Sequence, residues 1–391
     1  MFQRLVNPLK SNSFFLFGAR GTGKSTWIQN QFQKQNIWYI DLLDPEEEDQ
    51  YIRSPKHLED KVGACGPQLP DWIVIDEIQR VPKLLDLVHR LIEKKKIKFI
   101  LTGSSARKLK RGAANLLAGR AFVYHLYPLT TQELKDSFEL NSVLNWGSLP
   151  KVQSLGSNAE RAAYLKTYAL TYLKEEVQSE QLVRKLEPFR LFLEVAAQCN
   201  AKILNFKKIS NDVGVDDKTV FSYFQILEET WIGFFLQSYH PSIRKSQLSH
   251  PKFYFFDPGV IRALSRTLSG NIVSGTSLYG DAFEHWVILE IYRLNEYTGS
   301  DYRLSYFATK EGSEVDLVLD KPGFPVILIE IKSSTRVDER EVNKLARISM
   351  DFKNARVYYV SQDMNHLKIG SVICLHWQEL LKELFQEELE L

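Results

Sequence analysis

The chain has 391 residues, of which 44% are hydrophobic and 25% charged, and its formal net charge is +2. This length predicts two or three domains, and the near-neutral charge excludes a uniformly basic nucleic-acid-binding protein, so any such surface must be local. The three cysteines lie far apart without C-x-x-C spacing, which predicts a reducing compartment and no zinc site. Residues 1–10 lack the apolar core of a secretory signal, and no apolar run approaches the ~20 residues that span a bilayer. We therefore expect a cytoplasmic protein that does not engage a membrane.

Residues 14–25 contain a phosphate-binding pattern. Apolar residues 14–17 predict a buried strand, and residues 18–25 satisfy G-x-x-x-x-G-K-[ST] before a helix begins at Thr26. In this context glycines let backbone N–H groups point at a polyphosphate, Lys24 reaches its β- and γ-phosphates, and Ser25 ligates Mg²⁺. The alternative is a glycine-rich turn that matches by chance. The residues expected to bind ATP in this loop are Gly18, Arg20, Gly21, Thr22, Gly23, Lys24, Ser25 and Thr26.

Two further strand ends carry polar groups. Asp76 and Glu77 end the apolar run 72–75. In an enzyme with a phosphate loop, Asp76 would hold the Mg²⁺ shell and Glu77 would orient the attacking water, whereas the alternative is a helix N-cap followed by a first-turn acid. Thr102 and Ser104 end the next apolar strand and are candidate sensors of the γ-phosphate; a simple Gly-Ser-Ser turn is the alternative.

The core ends in a basic, glycine-containing stretch with Arg107, Arg111 and Arg120. We favour Arg120 as an arginine finger that acts on a neighbouring subunit's nucleotide, with a solvated surface arginine as the alternative. Strands that alternate with helices at this spacing predict a doubly wound parallel sheet with the nucleotide at the carboxyl ends of its strands.

The middle of the chain predicts two helical segments. Capping signals after residue 127 and a long helix over 158–178 are consistent with a small helical lid. Residues 186–258 predict three helices and a β-hairpin in winged-helix order, with Lys218 and Ser222 exposed on the third helix. The predicted tip of the wing carries Arg244, Lys245 and His250. Duplex DNA is one expected ligand, and a protein partner is the alternative.

The C-terminal part predicts a β-hairpin with opposed acidic side chains. If strands 314–319 and 326–332 pair symmetrically about Gly323, Asp316 stands opposite Glu330, with Cβ atoms about 5 Å apart. Like charges that face each other in an apolar hairpin are destabilising unless a cation intervenes, and carboxylates suit Mg²⁺ or Mn²⁺. Lys332 emerges on the same face and could orient water or stabilise charge on a phosphate. The alternative is a set of ordinary cross-strand ion pairs.

Taken together, these motifs resemble those of the bacterial and archaeal AAA-type ATPases that carry a C-terminal domain of unknown function. The resemblance rests on the phosphate loop and on seven later segments: Ile-Asp-Glu-Ile-Gln (75–79), Leu-Thr-Gly-Ser-Ser (101–105), Ala-Gly-Arg (118–120), Tyr-Phe-Phe-Asp-Pro-Gly (254–259), Gly-x-x-Phe-Glu (280–284), Glu-Val-Asp (314–316) and Glu-Ile-Lys (330–332). The last three segments are also similar to the PD-(D/E)xK restriction-endonuclease core. That resemblance implies that Glu284, Asp316 and Glu330 hold the metal. Lys151 stands where the resemblance would place an acidic residue, which puts an acidic lid contact in doubt.

The expected fold class is α/β, with an AAA-type ATPase core (1–125), a helical lid (126–185), a winged helix (186–268) and a restriction-endonuclease-like domain (269–391). The expected function is an ATP-hydrolysing protein that assembles into a ring, with a hexamer expected. It would bind and remodel or process DNA, with branched DNA as the preferred ligand. Catalytic roles fall to Lys24, Glu77, Arg120 and Lys332. The alternative is an ATP-controlled protein-interaction switch whose nuclease-like domain is inert.

Overall fold

The structure is a computed structural model that describes residues 2–66, 68–105, 117, 119–172, 186–241, 250–309 and 312–389. The chain forms two compact units. The first comprises Met1–Leu129, Leu149–Lys151 and Gln225–Ile232. The second comprises Thr130–Ser148, Val152–Phe224 and Gly233–Leu391. Arg107, Arg111, Arg244, Lys245 and the predicted helix end near Gln178 lie outside the described residues.

The first unit is built on a sheet of five parallel strands in the order β2-β3-β4-β1-β5. Its central strands are continuous apolar runs because helices cover both faces of such a sheet. The predicted parallel sheet is therefore confirmed. The strands are β1 (Ser13–Phe17), β2 (Ile37–Asp41), β3 (Trp72–Asp76), β4 (Lys98–Gly103) and β5 (Ala121–His125). The helices are α1 (Lys24–Gln31), α2 (Pro45–Arg53), α3 (His57–Ala64) and α4 (Leu84–Lys95).

Strand β4 separates the strand that precedes the phosphate loop from the strand that ends at Asp76. Phe17 at the end of β1 is in register with Gly103, and Ile75 on β3 is in register with Leu101. The carboxyl ends of these three strands therefore meet at one edge of the sheet, with Thr102 between the loop and Asp76.

The second unit contains a mixed sheet in the order β12-β13-β11-β10-β9-β8-β6-β7. Its strands are β6 (Gly233–Ser238), β7 (Lys252–Phe255), β8 (Arg303–Ala308), β9 (Glu314–Asp320), β10 (Ile327–Ile331), β11 (Arg356–Ser361), β12 (Leu367–Ile369) and β13 (Val372–His376).

The remaining helices follow in chain order. They are α5 (Thr131–Leu134), α6 (Leu140–Trp146), α7 (Pro150–Gln153), α8 (Asn158–Thr167), α9 (Leu186–Gln198), α10 (Phe206–Val213), α11 (Asp217–Glu229), α12 (Pro258–Leu264), α13 (Ser277–Thr298), α14 (Glu339–Ser349) and α15 (Trp377–Leu389). No helix among the described residues combines the length and apolar character needed to cross a membrane.

The segment predicted as a winged helix has three helices, α9 to α11, followed by the antiparallel pair β6–β7. Strand β6 also pairs in parallel with β8, through Gln237 with Ser305 and Ser238 with Tyr306. One sheet thus contains strands from both sides of residue 268, where the sequence predicts a domain boundary.

The hairpin β9–β10 has the predicted register. Ile327 pairs with Leu319, Leu328 with Val318 and Ile329 with Leu317, so the hairpin is symmetric about Gly323. The same register places Asp316 opposite Glu330. Both strands are buried over most of their length because β8 and β11 flank them and α14 packs on this part of the sheet.

Candidate functional site

The phosphate loop closes tightly around the start of α1. A Cβ atom on Gly18 would lie 2.3 Å from the carbonyl oxygen of Leu126, so only glycine fits there. Gly23 has a φ of 94°, the left-handed conformation that favours glycine, and Lys24 follows as the first residue of α1. The buried Lys24 ammonium donates to the carbonyl oxygens of Gly18 (2.8 Å) and Ala19 (3.3 Å), which keeps it within the loop.

A residue from the N-terminal segment also holds this loop. The Arg4 guanidinium donates to the carbonyl oxygen of Thr22 at 2.7 Å and to that of Tyr127, and the Thr22 hydroxyl donates to the carbonyl oxygen of Ala19 at 2.9 Å. Arg4 thus ties the loop to the segment after β5. Sequence reasoning missed Arg4 because no local pattern links it to a loop eighteen residues later. The other predicted loop residues, Arg20, Gly21 and Thr26, are exposed.

The Asp76 carboxylate accepts hydrogen bonds from three hydroxyl groups, each on a different neighbouring element. The Ser25 hydroxyl donates to Asp76 Oδ2 at 2.6 Å, Tyr39 donates to the same oxygen, and Thr102 donates to Oδ1. Ser25 and Asp76, the two predicted Mg²⁺ ligands, are therefore adjacent, and their oxygen atoms fit a hard divalent cation. Tyr39 was not predicted because its contact depends on β2 lying beside β3. Burial and the charge of Asp76 raise the pKa of the Tyr39 hydroxyl, which keeps it a donor.

Glu77 is held in a defined orientation beside Asp76. Its backbone is left-handed, with a φ of 58°, and its N–H donates to the Thr102 hydroxyl at 3.1 Å. Glu77 Oε2 accepts hydrogen bonds from the Ser104 hydroxyl (3.1 Å), the Ser104 N–H (3.3 Å) and the Gln79 amide. The Gln79 amide also donates to the Ser104 hydroxyl at 3.1 Å. Thr102 and Ser104 therefore contact the acidic pair, and their predicted role as phosphate sensors stays a prediction.

Arg120 lies at the end of the five-stranded sheet opposite to the phosphate loop. Strands β1 and β5 are parallel, with Ser13 in register with Ala121 and Phe17 with His125. Arg120 therefore stands beside the start of β1, roughly 16 Å from the strand ends that carry the loop, since a strand rises about 3.3 Å per residue. Its guanidinium forms an ion pair with Glu93 on α4 at 2.5 Å. An action of Arg120 on a nucleotide would thus require the nucleotide of another subunit.

A second polar cluster surrounds the hairpin β9–β10. The Lys332 ammonium contacts Glu330 Oε1 at 2.5 Å and Asp316 Oδ2 at 3.6 Å, and Asp316 Oδ2 accepts the Ile331 N–H at 2.7 Å. Although burial favours the neutral amine, the charges of Asp316 and Glu330 raise the pKa of Lys332 overall. The hairpin thus brings Asp316, Glu330 and Lys332 together as predicted.

Helix α13 and strand β7 add three more groups to this cluster. Tyr254 on β7 donates to Glu284 Oε1 at 3.3 Å, and Lys252 forms an ion pair with Glu314. Burial and the charge of Asp316 raise the pKa of Glu284, and the same two causes raise that of Glu330. Lys252 and Tyr254 were not predicted, because β7 lies some sixty residues before β9 in the chain and no spacing links them.

The donor types in this carboxylate cluster fit a divalent cation. Four carboxyl groups lie beside two ammonium groups, so acidic groups outnumber basic groups by two, and the buried Glu330 Oε2 has no hydrogen-bond partner. Within the described ranges, however, no three acidic, histidine or cysteine side chains converge closely enough to hold a metal as they stand. Binding would therefore require carboxylate side chains to turn toward a common point. The cluster consists of Lys252, Tyr254, Glu284, Glu314, Asp316, Glu330 and Lys332.

Three family models match successive parts of the chain. Residues 10–135 match an AAA domain, and residues 137–270 and 279–380 match two domains of unknown function, DUF8612 and DUF4143. The N-terminal part is an AAA-type P-loop domain. This match supports ATPase activity in general, in agreement with the loop and the acidic pair.

Similar proteins from two bacteria and an archaeon are named only as uncharacterized proteins. An uncharacterized protein of Mycobacterium tuberculosis is 24% identical over 259 residues, which are 66% of this chain and 58% of that protein. The chain thus spans little more than half the length of this mycobacterial relative. An uncharacterized protein of Haemophilus influenzae is 20% identical over 385 residues, 91% of this chain and 92% of that protein.

Among solved structures, a Walker-type ATPase of Pyrococcus abyssi covers 64% of this chain and 90% of its own, with 14% identity and a TM-score of 0.43. AMPPCP-bound DnaA from Aquifex aeolicus covers 56% and 83%, with 15% identity and a TM-score of 0.27.

Proposed function

We propose that this protein hydrolyses ATP at the phosphate loop and the acidic pair Asp76–Glu77. The observation that carries the proposal is the 2.6 Å contact between Ser25 and Asp76, which joins the loop to the acidic strand end. Lys24 would balance charge on the β- and γ-phosphates, and Glu77 would take the proton of the attacking water. Mg²⁺, when held by Ser25 and Asp76, would neutralise part of the negative charge of the phosphates.

The test compares two site variants with a matched surface variant. Lys24→Ala is expected to lose ATP binding, whereas Glu77→Gln should bind ATP but lose turnover by at least about 100-fold, because it keeps the shape of the site but not the base. Lys34→Ala changes an exposed lysine shortly after α1 and should leave both unchanged. Binding is measured with a fluorescent ATP analogue and turnover by phosphate release. If Lys24→Ala binds and hydrolyses ATP like the unmodified protein, the proposal is wrong.

The carboxylate cluster favours a second activity, metal-dependent processing of DNA. Its excess of two acidic over basic groups and the unpartnered Glu330 Oε2 support one Mg²⁺ or Mn²⁺ held by Glu284, Asp316 and Glu330. Lys332 beside them would stabilise charge on a phosphodiester. DNA would be gripped in part by α11, which exposes Lys218; Asp217 and Phe221 are exposed on the same helix and make this face less basic than a typical duplex-binding helix.

Incubation of the protein with branched, single-stranded and duplex DNA distinguishes a nuclease, a DNA motor or clamp, and a protein that does not act on DNA. With Mg²⁺ or Mn²⁺, cleavage that Asp316→Ala and Lys332→Ala abolish supports a nuclease. Binding without cleavage supports a DNA motor or clamp. Failure to bind any of these DNAs supports instead an ATP-controlled protein-interaction switch, a role favoured by the two ammonium groups that already pair with the carboxylates and by the exposed Phe221.

A further inference from the structure

Lys252 is a buried cation in the second unit that no motif assigns. It opens strand β7 and is only 4% exposed, and its ammonium pairs with Glu314 and lies 5.3 Å from the centre of the Tyr306 ring. Burial favours the neutral amine, but the charges of Glu284 and Glu314 raise its pKa overall, so it stays an ammonium group. A buried charge persists only where its partners compensate for lost hydration, so this position indicates an electrostatic role.

Lys252 forms its ion pair with the carboxylate of Glu314. Glu314 lies two residues before Asp316 on β9, so both side chains project from the same face of the sheet. Lys252 engages Glu314, while Asp316 and Glu330 contact Lys332 instead. Two residues along β7, Tyr254 donates to Glu284. Strand β7 therefore contacts two of the four carboxylates, one through a cation and the other through a hydroxyl.

We propose that Lys252 is a positioning residue that holds Glu314 away from the cation site and sets the charge of the carboxylate cluster. Glu284, Asp316 and Glu330 are then the carboxylates left to take a divalent cation. This inference rests on the metal binding proposed above and deepens it by assigning β7 to the site. The hairpin β6–β7 is thus part of the cation site as well as of the segment with winged-helix order.

The proposal predicts opposite effects for the two members of the ion pair. Lys252→Met removes one positive charge and frees Glu314, so the cluster should bind Mn²⁺ roughly tenfold more tightly. Glu314→Gln leaves the ammonium without its partner and should weaken Mn²⁺ binding by a similar factor. The double variant removes both charges together and should lie within about twofold of the unmodified protein, since the net charge is restored. Lys252→Arg keeps the charge and should also resemble the unmodified protein.

The measurement is Mn²⁺ binding to the full chain by calorimetry, with Asp316→Asn as the site control and thermal unfolding to verify that each variant is folded. A lysine with a purely structural role would give weaker or unchanged binding in Lys252→Met, which would overturn the inference while the metal site itself stands. Should Lys252→Met fail to fold, Glu314→Gln decides alone: unchanged or tighter binding overturns the inference. If neither the unmodified protein nor Lys252→Met shows Mn²⁺ binding that Asp316→Asn removes, both the metal site and the role of Lys252 are wrong.

Discussion

At the scale of single residues, the orientation of Glu77 depends on two neutral neighbours. Ser104 supplies a hydroxyl and an N–H to Glu77 Oε2, and the Gln79 amide contacts both Glu77 and Ser104. A base that removes a proton from water must be held within hydrogen-bond reach of it. Ser104 and Gln79 therefore position the proposed base.

We predict that Ser104→Ala lowers kcat for ATP hydrolysis by about tenfold with little change in KM. The substitution removes a hydrogen bond that orients Glu77 but leaves the phosphate loop intact. Steady-state phosphate release at varied ATP concentration measures both constants. Ser104→Thr, which retains the hydroxyl, is the matched control. A rise in KM at constant kcat would instead place Ser104 in nucleotide binding.

A second residue-scale feature is the buried carboxylate of Glu290 on α13. Its Oε2 accepts the Thr131 N–H at 2.8 Å, and its Oε1 lies 3.5 Å from Arg293 without a hydrogen bond. Burial raises the pKa of Glu290 to about 7, from an ordinary value of 4.5. Between these two values the folded protein binds more protons at Glu290 than the unfolded chain, so the free energy of unfolding falls as pH rises through this window.

We predict that the contribution of Glu290 to stability falls by about 2 kcal/mol between pH 5 and pH 7. Glu290→Gln keeps an acceptor for Thr131 but does not titrate, so its free energy of unfolding should depend less on pH across this range. Urea unfolding at both pH values measures the difference. Glu296→Gln, at an exposed position on the same helix, should retain the pH dependence of the unmodified protein. If the free energy of unfolding changes equally with pH in Glu290→Gln and in the unmodified protein, the prediction is wrong.

At the scale of elements, the turn after α6 packs against the start of α12. Asp257 caps α12 by accepting the Val260 N–H at 3.2 Å, and its Oδ2 accepts the Ser148 N–H at 2.7 Å. Gly147 has a φ of 74°, and a Cβ atom there would lie 1.9 Å from Asp257 Oδ1. One carboxylate thus serves both a helix N-terminus and a loop, which requires glycine at position 147.

We predict that Gly147→Ala destabilises the second unit by more than about 3 kcal/mol, because it adds both a clash and a strained backbone. Thermal or urea unfolding measures the loss. Gly156→Ala is the matched control: a Cβ atom at Gly156 would meet nothing within 4 Å, so stability should change little. A loss of under 1 kcal/mol in Gly147→Ala would mean that the turn can relax away from Asp257.

At the scale of the whole molecule, the position of Arg120 bears on assembly. Arg120 precedes β5 and stands at the end of the parallel sheet opposite the phosphate loop. The expected ring, with a hexamer as the expected size, would place Arg120 of one subunit near the nucleotide of the next.

We predict that Arg120→Ala lowers ATP turnover by at least about 100-fold if it supplies a finger in trans. Subunits with Lys24→Ala would still supply Arg120 to a neighbouring subunit. Subunits with Arg120→Ala would still bind ATP at an intact phosphate loop. A mixture of the two inactive variants should therefore recover measurable turnover, assayed by phosphate release against protein concentration. Glu93→Gln, which removes the carboxylate charge that pairs with Arg120, is the control and should retain activity. Unimpaired turnover in Arg120→Ala, or a mixture no more active than its components, would contradict action in trans.

The sequence alone determined features that depend on local pattern. Glycine, lysine and serine at fixed spacing after an apolar strand define the phosphate loop through backbone conformation and helix polarity, both of which are local. The alternation of strands and helices was enough to predict the parallel sheet. The register of β9 and β10 was also predictable, because the turn at Gly323 sets it, and Asp316, Glu330 and Lys332 follow from that register.

Contacts between side chains that are far apart in the chain depend on the tertiary structure. Tyr39 reaches Asp76 because β2 lies beside β3, and Arg4 reaches Thr22 across the loop. Lys252 joins Glu314 although β7 and β9 are far apart in the chain. Strand order and long-range docking set these contacts, and they depend on how whole faces of the molecule bury apolar surface, which no short stretch of sequence encodes.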